Sequence, residues 1–265
     1  MTMNVLGISV VIPAYGRLEL LLRAIHSVAA SDVRELEIVV IDDASPLPLE
    51  PHVPLANVYG VPIRYYRLSR NSGSQAARNL GIRRSRHKFV AFLDSDDVFL
   101  PEKIDRVRAH LMHTSYDILF HAVEGMAGYG RIGALWNRRL RGVLPLHWLL
   151  TLLNPVVTPS LVIKRGLGLG PSNMRHAEDW AFLMSIVQPG ASVLYLEEPL
   201  SRVFRPVGSE GGVSAQRWRM RKGEFKARSL LLRRVSLTNY LRYTVGTAMG
   251  GIRVLNDLVR LRYWR

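Results

Sequence analysis

The sequence predicts an α/β fold: a mostly parallel open sheet flanked by helices, followed by a basic helical extension at the C-terminus. Three observations predict it. Short β-branched runs recur along the first half of the chain, stretches with helical spacing separate them, and basic residues crowd towards the end. Apolar runs without polar alternation suit strands covered on both faces, the setting of a parallel sheet.

The elements follow in order. Ser9 to Ile12 is a strand run stopped by Pro13, and the same texture returns at Leu36 to Ile41, Ile63 to Leu68 and Lys88 to Leu93. Helical patterns occupy Leu18 to Ala30 and Ser74 to Ser85, and a third helix is expected from Pro101, a residue suited to a first turn, to His113. Further on we expect a strand at Asp117 to Val123, a glycine-rich loop, a helix at Leu144 to Leu153, a strand at Asn154 to Lys164 and a helix at Glu178 to Val187. From about residue 215 the composition turns basic and helical, which divides the chain into 1–214 and 215–265.

At 265 residues, with 48% hydrophobic and 22% charged, the chain can bury a sizeable core and is neither disordered nor collagenous. The absence of cysteine excludes disulfides, thiolate metal sites and a cysteine nucleophile, and fits a reducing cytoplasm. Thirteen Lys and Arg against Glu224 and Asp257 give residues 217–265 a charge of +11, most of the chain's +15. No apolar run approaches the roughly 18 residues of a spanning helix, and the first apolar segment lacks a basic flank, so neither a membrane span nor a secretion signal is expected.

Chemistry concentrates in four places. Phe92 to Asp97 (FLDSDD) sets three carboxylates directly after a strand, where a divalent cation would relieve their repulsion; a turn and helix cap is the competing reading. Asp42 and Asp43 end another strand, and in an open α/β sheet such strand ends converge on one crevice. Asn71 to Asn79 (NSGSQAARN) opens a helix whose Arg78 suits a phosphate ligand, or simply faces solvent. Glu178-Asp179 begins a later helix, where acidic residues are favoured in any case.

Together with Val10 to Arg17 (VVIPAYGR), Asn71 to Gly81 and His176 to Trp180 (HAEDW), these pieces resemble the family 2 glycosyltransferases of the GT-A fold, in family order over roughly residues 8 to 205. The resemblance implies an inverting hexosyltransferase of bacterial surface-polysaccharide type, with residues 1–214 as its catalytic domain. It implies a nucleotide-sugar donor, expected to be a UDP-sugar, and a lipid-linked saccharide acceptor. Pro13, Tyr15, Arg17, Asp42, Asp43, Arg78, Asp94, Ser95 and Arg202 would bind the donor. Asp94 and Asp96 match the DxD element that holds Mg²⁺ or Mn²⁺, and Asp97 could substitute in an acidic role. Asp179 matches the catalytic base, with Glu178 beside it. Where family members often carry Arg-x-His, this chain reads Arg202-Val203-Phe204, so Phe204 stands in place of the histidine and metal affinity is in question. Arg205, Gly208, Gly211, Gly212 and Ser214 are candidates for a loop over the diphosphate.

Gly128-Tyr129-Gly130-Arg131-Ile132-Gly133 spells a rival dinucleotide motif, the signature of an oxidoreductase. That reading needs an acidic residue about 20 positions later, and none occurs between Gly125 and Ala177. A non-catalytic binding protein on the same fold is the other alternative. In the tail, Leu241, Val245, Ala248, Ile252, Leu255 and Val259 share one helical face, while Arg242, Arg253 and Arg260 share another. Such a helix can lie on an anionic membrane surface with its guanidinium groups at the headgroups and Tyr263 and Trp264 at the boundary, or pack on the catalytic domain. We expect the former: a cytoplasmic protein peripherally bound to the inner face of the cell membrane through residues 217–265, with no nucleic-acid partner.

Overall fold

A computed structural model of the chain describes residues 6–31, 35–53, 58–114, 116–205, 216–233 and 236–263. Strands β1 (Ile8–Ala14), β2 (Leu36–Asp42), β3 (Ile63–Arg67) and β4 (Phe89–Phe92) pair in parallel in the order β3-β2-β1-β4. The sheet continues through β7 (Val162–Lys164), β6 (Ile118–Glu124), β8 (Val193–Arg202) and β5 (Val98–Phe99). Of these, β7 runs antiparallel to both its neighbours, β6 and β8 are parallel, and β5 is antiparallel to β8.

The unbroken apolar runs have the cause expected of them. Ile8, Val10 and Ile12 of β1 face one core with Ile38 and Val40 of β2, against Leu21 and Ile25 of α1 (Leu18–Ala29) and Ile104 and Val107 of α3 (Lys103–His113). The alternate residues Val11, Val39 and Ile41 face a second core with Ala77 and Ile82 of α2 (Ser74–Arg84) and Phe182 and Leu183 of α6 (Glu178–Ile186). Each strand residue thus has a buried side whichever way it points.

The second half departs from expectation in three places. The glycine-rich stretch is a helix, α4 (Ala127–Leu135), continued by a π-helical turn at Trp136–Leu140. The expected strand at 154–164 contracts to β7, because Pro159 sits in a 3₁₀ turn at Thr158–Ser160. Strand β8 was not anticipated: Glu197, Glu198 and Pro199 interrupt its apolar pattern, and its pairing with β6 shifts register there.

The basic C-terminal helices pack on the rest of the molecule. Ala227 of α7 (Arg217–Ser229) and nearby Leu231 belong to the second core, and α8 (Leu237–Tyr263) lies on α5 (Leu146–Leu152) and α7. Gly246 makes the approach possible, since a Cβ there would stand 2.8 Å from the Thr151 carbonyl oxygen. Two arginines cap the C-terminus of α5, Arg228 Nε donating to Thr151 O at 3.2 Å and Arg253 Nη2 to Leu152 O at 2.7 Å, while Arg242 Nη2 donates to His147 O in its first turn. The last carbonyls of a helix have no intrahelical partner and carry the negative end of its dipole, so cations are drawn there. This corrects the expectation for Arg242 and Arg253, which point into the protein rather than to headgroups. The apolar stripe instead points outward: Leu237, Leu241, Ile252 and Leu255 are each at least half exposed. The side chains of Val259 and Arg260, and those of Tyr263 and Trp264, lie outside the described residues, as does the 214/215 boundary.

Lys103 is fully buried at the start of α3, donating to Pro159 O at 2.5 Å and Ser201 Oγ at 3.2 Å over the Phe99 ring. Burial pushes its pKa well below the usual 10.5. Folding therefore releases a proton, so stability should rise with pH from the depressed value towards 10.5, by at most about 1.4 kcal/mol per pH unit. Urea unfolding between about pH 8.5 and 10 should show stability rising with pH in the wild type, and a smaller rise in Lys103→Met.

Candidate active site

The carboxyl ends of the parallel strands open into a cleft of about 530 Å³ lined by Pro13, Tyr15, Arg17, Asp43, Asn71, Gly73, Arg78, Asp94, Ser95, Asp96, Arg175, His176 and Glu178, among others. A second cleft of about 750 Å³ adjoins it, and Arg78, Asp94, Arg175 and Glu178 belong to the walls of both. Asp179 faces the second cleft, beside Asn154, Trp180 and residues of α7 and α8.

Arg78 stands at the junction. It is buried on α2, donates to Asp94 Oδ1 at 2.7 Å and lies 3.5 Å from Glu178. Burial alone would lower its pKa, but Asp94 and Glu178 more than offset this and raise it. Glu178 also accepts the Ser74 hydroxyl proton, yet burial keeps its carboxyl above the usual range. Asp179 is likewise pushed up by burial, with the Trp180 amide and Arg78 opposing. Asn154 Nδ2 donates to Asp179 Oδ2 at 3.0 Å and so orients it.

Local backbone is shaped around these groups. Asp43 accepts the amides of Ser72 at 2.7 Å and Gly73 at 2.8 Å, folding the turn before α2, where Gly73 has φ 90°. Arg17, Ala44 and Ala177 all adopt positive φ, of 42°, 57° and 52°. Each adjoins a cleft-lining segment, and such conformations cost of order 1–3 kcal/mol in residues other than glycine. Around Asp96, Arg17 Nη1 lies at 2.9 Å and Arg205 Nε at 4.0 Å from the carboxylate, and Arg23 donates to its backbone oxygen at 2.6 Å.

Three of the expected residues lie elsewhere. Asp42 does not line the cleft: its fully buried carboxylate holds Ser45, Tyr65 and Arg67, and Ser45 Oγ in turn accepts the Gly16 amide proton at 2.8 Å. It supports the Tyr15 turn from beneath. Arg202 is drawn away by the parallel register of β6 and β8, which pairs it with Glu124 at 2.6 Å. Asp97 is turned inward to accept the Phe204 amide at 3.1 Å, and burial with the nearby Asp94 charge pushes its pKa to about 8. Gly208, Gly211, Gly212 and Ser214 lie outside the described residues. The rival glycine motif sits inside α4, so it forms no strand-to-helix phosphate loop.

Sequence reasoning missed Asn154, Arg175 and Arg219 of the cleft walls, and named His176 only as the start of the HAEDW motif, with no role. Arg175 and His176 directly precede Ala177-Glu178-Asp179, so adjacency to the acidic pair was a usable signal. Asn154 carried none.

The sequence model of glycosyl transferase family 2 matches residues 9–138. An uncharacterized glycosyltransferase of Haemophilus influenzae is 30% identical over 203 residues, 73% of this chain and 67% of that protein. The chain belongs to glycosyl transferase family 2. It is also similar to TuaG of Bacillus subtilis, a protein assigned to teichuronic acid biosynthesis, at 24% identity over 81% of this chain and 84% of that one. Two Rickettsia relatives are 27% identical, and the chain spans 42% of their length. Among solved structures, Staphylococcus aureus TarS in complex with UDP-GlcNAc superposes with a TM-score of 0.66 at 18% identity, covering 89% of this chain and 69% of that one. The mannosyltransferase PcManGT of Pyrobaculum calidifontis, in complex with GDP-Man and Mn²⁺, gives 0.61 at 16% identity over 97% and 82%. The fold is GT-A, a curled open sheet flanked by helices.

The donor set suits a hard divalent cation only as a shared site. Asp94 and Asp96 offer carboxylate oxygens, each engaged by an arginine, and no cluster of three protein ligands occurs among the described residues. Mg²⁺ and its like are commonly held by one or two carboxylates with substrate phosphates and water completing the shell.

Because Arg78 is the cation between Asp94 and Glu178, removing it leaves two half-buried carboxylates without their shared counter-charge. Arg78→Met should cost about 3 kcal/mol of unfolding free energy, and Arg78→Lys less, measured by denaturant titration at neutral pH.

Proposed function

We propose that this protein transfers a sugar from a nucleoside-diphosphate donor, a UDP-sugar, to a hydroxyl of a lipid-linked saccharide, with inversion, in surface-polysaccharide synthesis. The observation that carries the reading is the meeting of two clefts at Arg78, Asp94 and Glu178, with Asp179 on the far side of that junction. The first cleft, with Tyr15, Asp43 and several arginines, suits the nucleotide and its phosphates. The second suits the acceptor. Family membership and the relative assigned to teichuronic acid biosynthesis support the substrate class, and the UDP-GlcNAc bound by TarS supports the donor class.

The acceptor hydroxyl gives its proton to Asp179 as its oxygen bonds to the anomeric carbon. The bond from that carbon to the phosphate oxygen breaks on the opposite face, and its electron pair leaves with the diphosphate. A carboxylate with a raised pKa is well matched to a proton-accepting role near neutrality. Asn154 holds Asp179 in place, while Glu178 anchors Ser74 and Arg78. Arg17 and Arg175 offer positive charge where the leaving diphosphate develops negative charge. Asp96, with Asp94, would hold Mg²⁺ or Mn²⁺, whose chemistry is to neutralise the diphosphate.

Asp179→Asn should leave donor binding intact and lower the transfer rate by about 10²- to 10⁴-fold, whereas Asp96→Asn should abolish the metal-dependent part of donor binding. Calorimetry with UDP-sugar, with and without Mn²⁺, and a transfer assay separate the two; equal loss of donor affinity in both variants overturns the assignment of roles.

We also infer that α8 seats the protein on the inner face of the cell membrane. No helix among the described residues is long and apolar enough to cross a membrane, and the stripe Leu237, Leu241, Ile252 and Leu255 faces away from the body. Lys222 is exposed on neighbouring α7 and can add attraction to anionic lipid. Leu241→Asp and Ile252→Asp should each weaken sedimentation with phosphatidylglycerol vesicles about tenfold, given the transfer energy of a buried aliphatic side chain. Undiminished binding in the double variant rejects the inference.

A further inference from the structure

We propose that the second cleft accepts an uncharged, hydroxyl-rich sugar unit and disfavours a phosphorylated or uronic one. The proposal rests on the transferase reading above and names the chemistry of its acceptor. The cleft wall remote from the first cleft is built by the C-terminal helices, from Arg221 and Glu224 of α7 and Arg253 and Asp257 of α8. Arg221 Nη1 donates to Glu224 Oε1 at 2.6 Å, and its Nε to Asp257 Oδ2 at 2.8 Å. Arg253 Nη1 lies 3.4 Å from Glu224 Oε2, and its Nη2 is engaged by the Leu152 carbonyl. These cations are therefore already matched by acceptors of the chain itself.

The whole lining carries Arg78, Arg175, Arg221 and Arg253 against Asp94, Glu178, Asp179, Glu224 and Asp257, four positive groups and five negative. An incoming phosphate or carboxylate finds no excess of positive charge, and at the wall built by the C-terminal helices it could gain the guanidinium of Arg221 or Arg253 only by displacing a present carboxylate, leaving that charge poorly compensated. A hydroxyl makes no such demand. It donates to a free lone pair of a carboxylate and accepts from an N–H outside the existing pairs. Tyr129 and Met220 supply apolar surface for the C–H face of a sugar ring, a mixture typical of small-molecule sites.

The cleft also explains why the C-terminal helices are fastened to the body. Arg253 both lines the cleft and caps α5, the helix that leads into Asn154 and thereby to Asp179. The acceptor wall and the proton-accepting carboxylate are tied through one side chain.

Saturation-transfer NMR on the full chain saturated with UDP and Mn²⁺ tests this. The probes are methyl glycosides of glucose, galactose, mannose and N-acetylglucosamine, the corresponding methyl uronides, and the 6-phosphates. At least one neutral glycoside should bind about fivefold or more tightly than its uronide and phosphate, a factor in the range of a single partly exposed charge interaction. Asp257→Asn removes one carboxylate from the rim and should narrow that gap by a similar factor while UDP affinity stays unchanged. Tighter binding of uronides or phosphates to the wild type, binding of none of the probes, or an unaltered ratio in Asp257→Asn each overturns the proposal. Failure of the wild type to bind UDP would instead strike the transferase reading itself.

Discussion

The arrangement depends on one buried cation. Arg78 reaches from α2, in the first half of the chain, to Asp94 after β4 and to Glu178 at the start of α6. Without it, three carboxylates from two distant stretches would share one corner with only the neutral donors Ser74, Asn154 and the Trp180 amide to offset their repulsion. With it, the strand ends and the acidic helix start are held as walls of two adjoining clefts. The raised pKa of Asp179 follows from the same geometry: burial pushes it up, and Arg78 stands close enough to moderate the shift but engages its neighbours first.

What could be read from the sequence was whatever is local. The alternation of β-branched runs and helical spacing placed β1 to β4, α1 and α2, because a strand buried on both faces needs no partner information to look apolar. Strand β8 was illegible for the opposite reason: Glu197 and Glu198 are tolerated where its pairing with β6 slips, and only β6 explains them. The acidic motifs named the cleft, but not which carboxylates face it. Asp42 and Asp43 are adjacent and chemically identical, yet alternation along the strand sends one beneath the sheet edge to Tyr65 and Arg67 and the other to the turn at Ser72. Asn154 acquires its role only from Asp179 across space.

Charge in the tail shows most clearly the limit of composition. A helix with leucines on one face and arginines on another looks amphipathic in either orientation, since a guanidinium is as content with helix-terminal carbonyls as with headgroups. The unsatisfied end of α5 decides the matter. Thr151 and Leu152 present terminal carbonyl oxygens that Arg228 of α7 and Arg253 of α8 fill, Arg242 takes the His147 carbonyl one turn earlier, and Gly246 lets α8 come close enough for its two arginines to reach. With the arginines turned inward, the leucines are left outside.

That inversion bears on what the tail is for. A detachable anchor would leave the catalytic body complete without it, whereas here Ala227 and Leu231 belong to the same core as α6, and Arg221, Glu224, Arg253 and Asp257 form a cleft wall. One helix therefore presents polar groups to the clefts and apolar groups to the exterior. If the proposed membrane seating and lipid-tethered acceptor hold, such a helix would set the distance between the bilayer surface and the reacting hydroxyl by its own thickness, about 10–12 Å with side chains. On that reading reach would be fixed by a rigid element rather than a linker, because α8 is held to the body by Arg242 and Arg253 and by its close approach at Gly246.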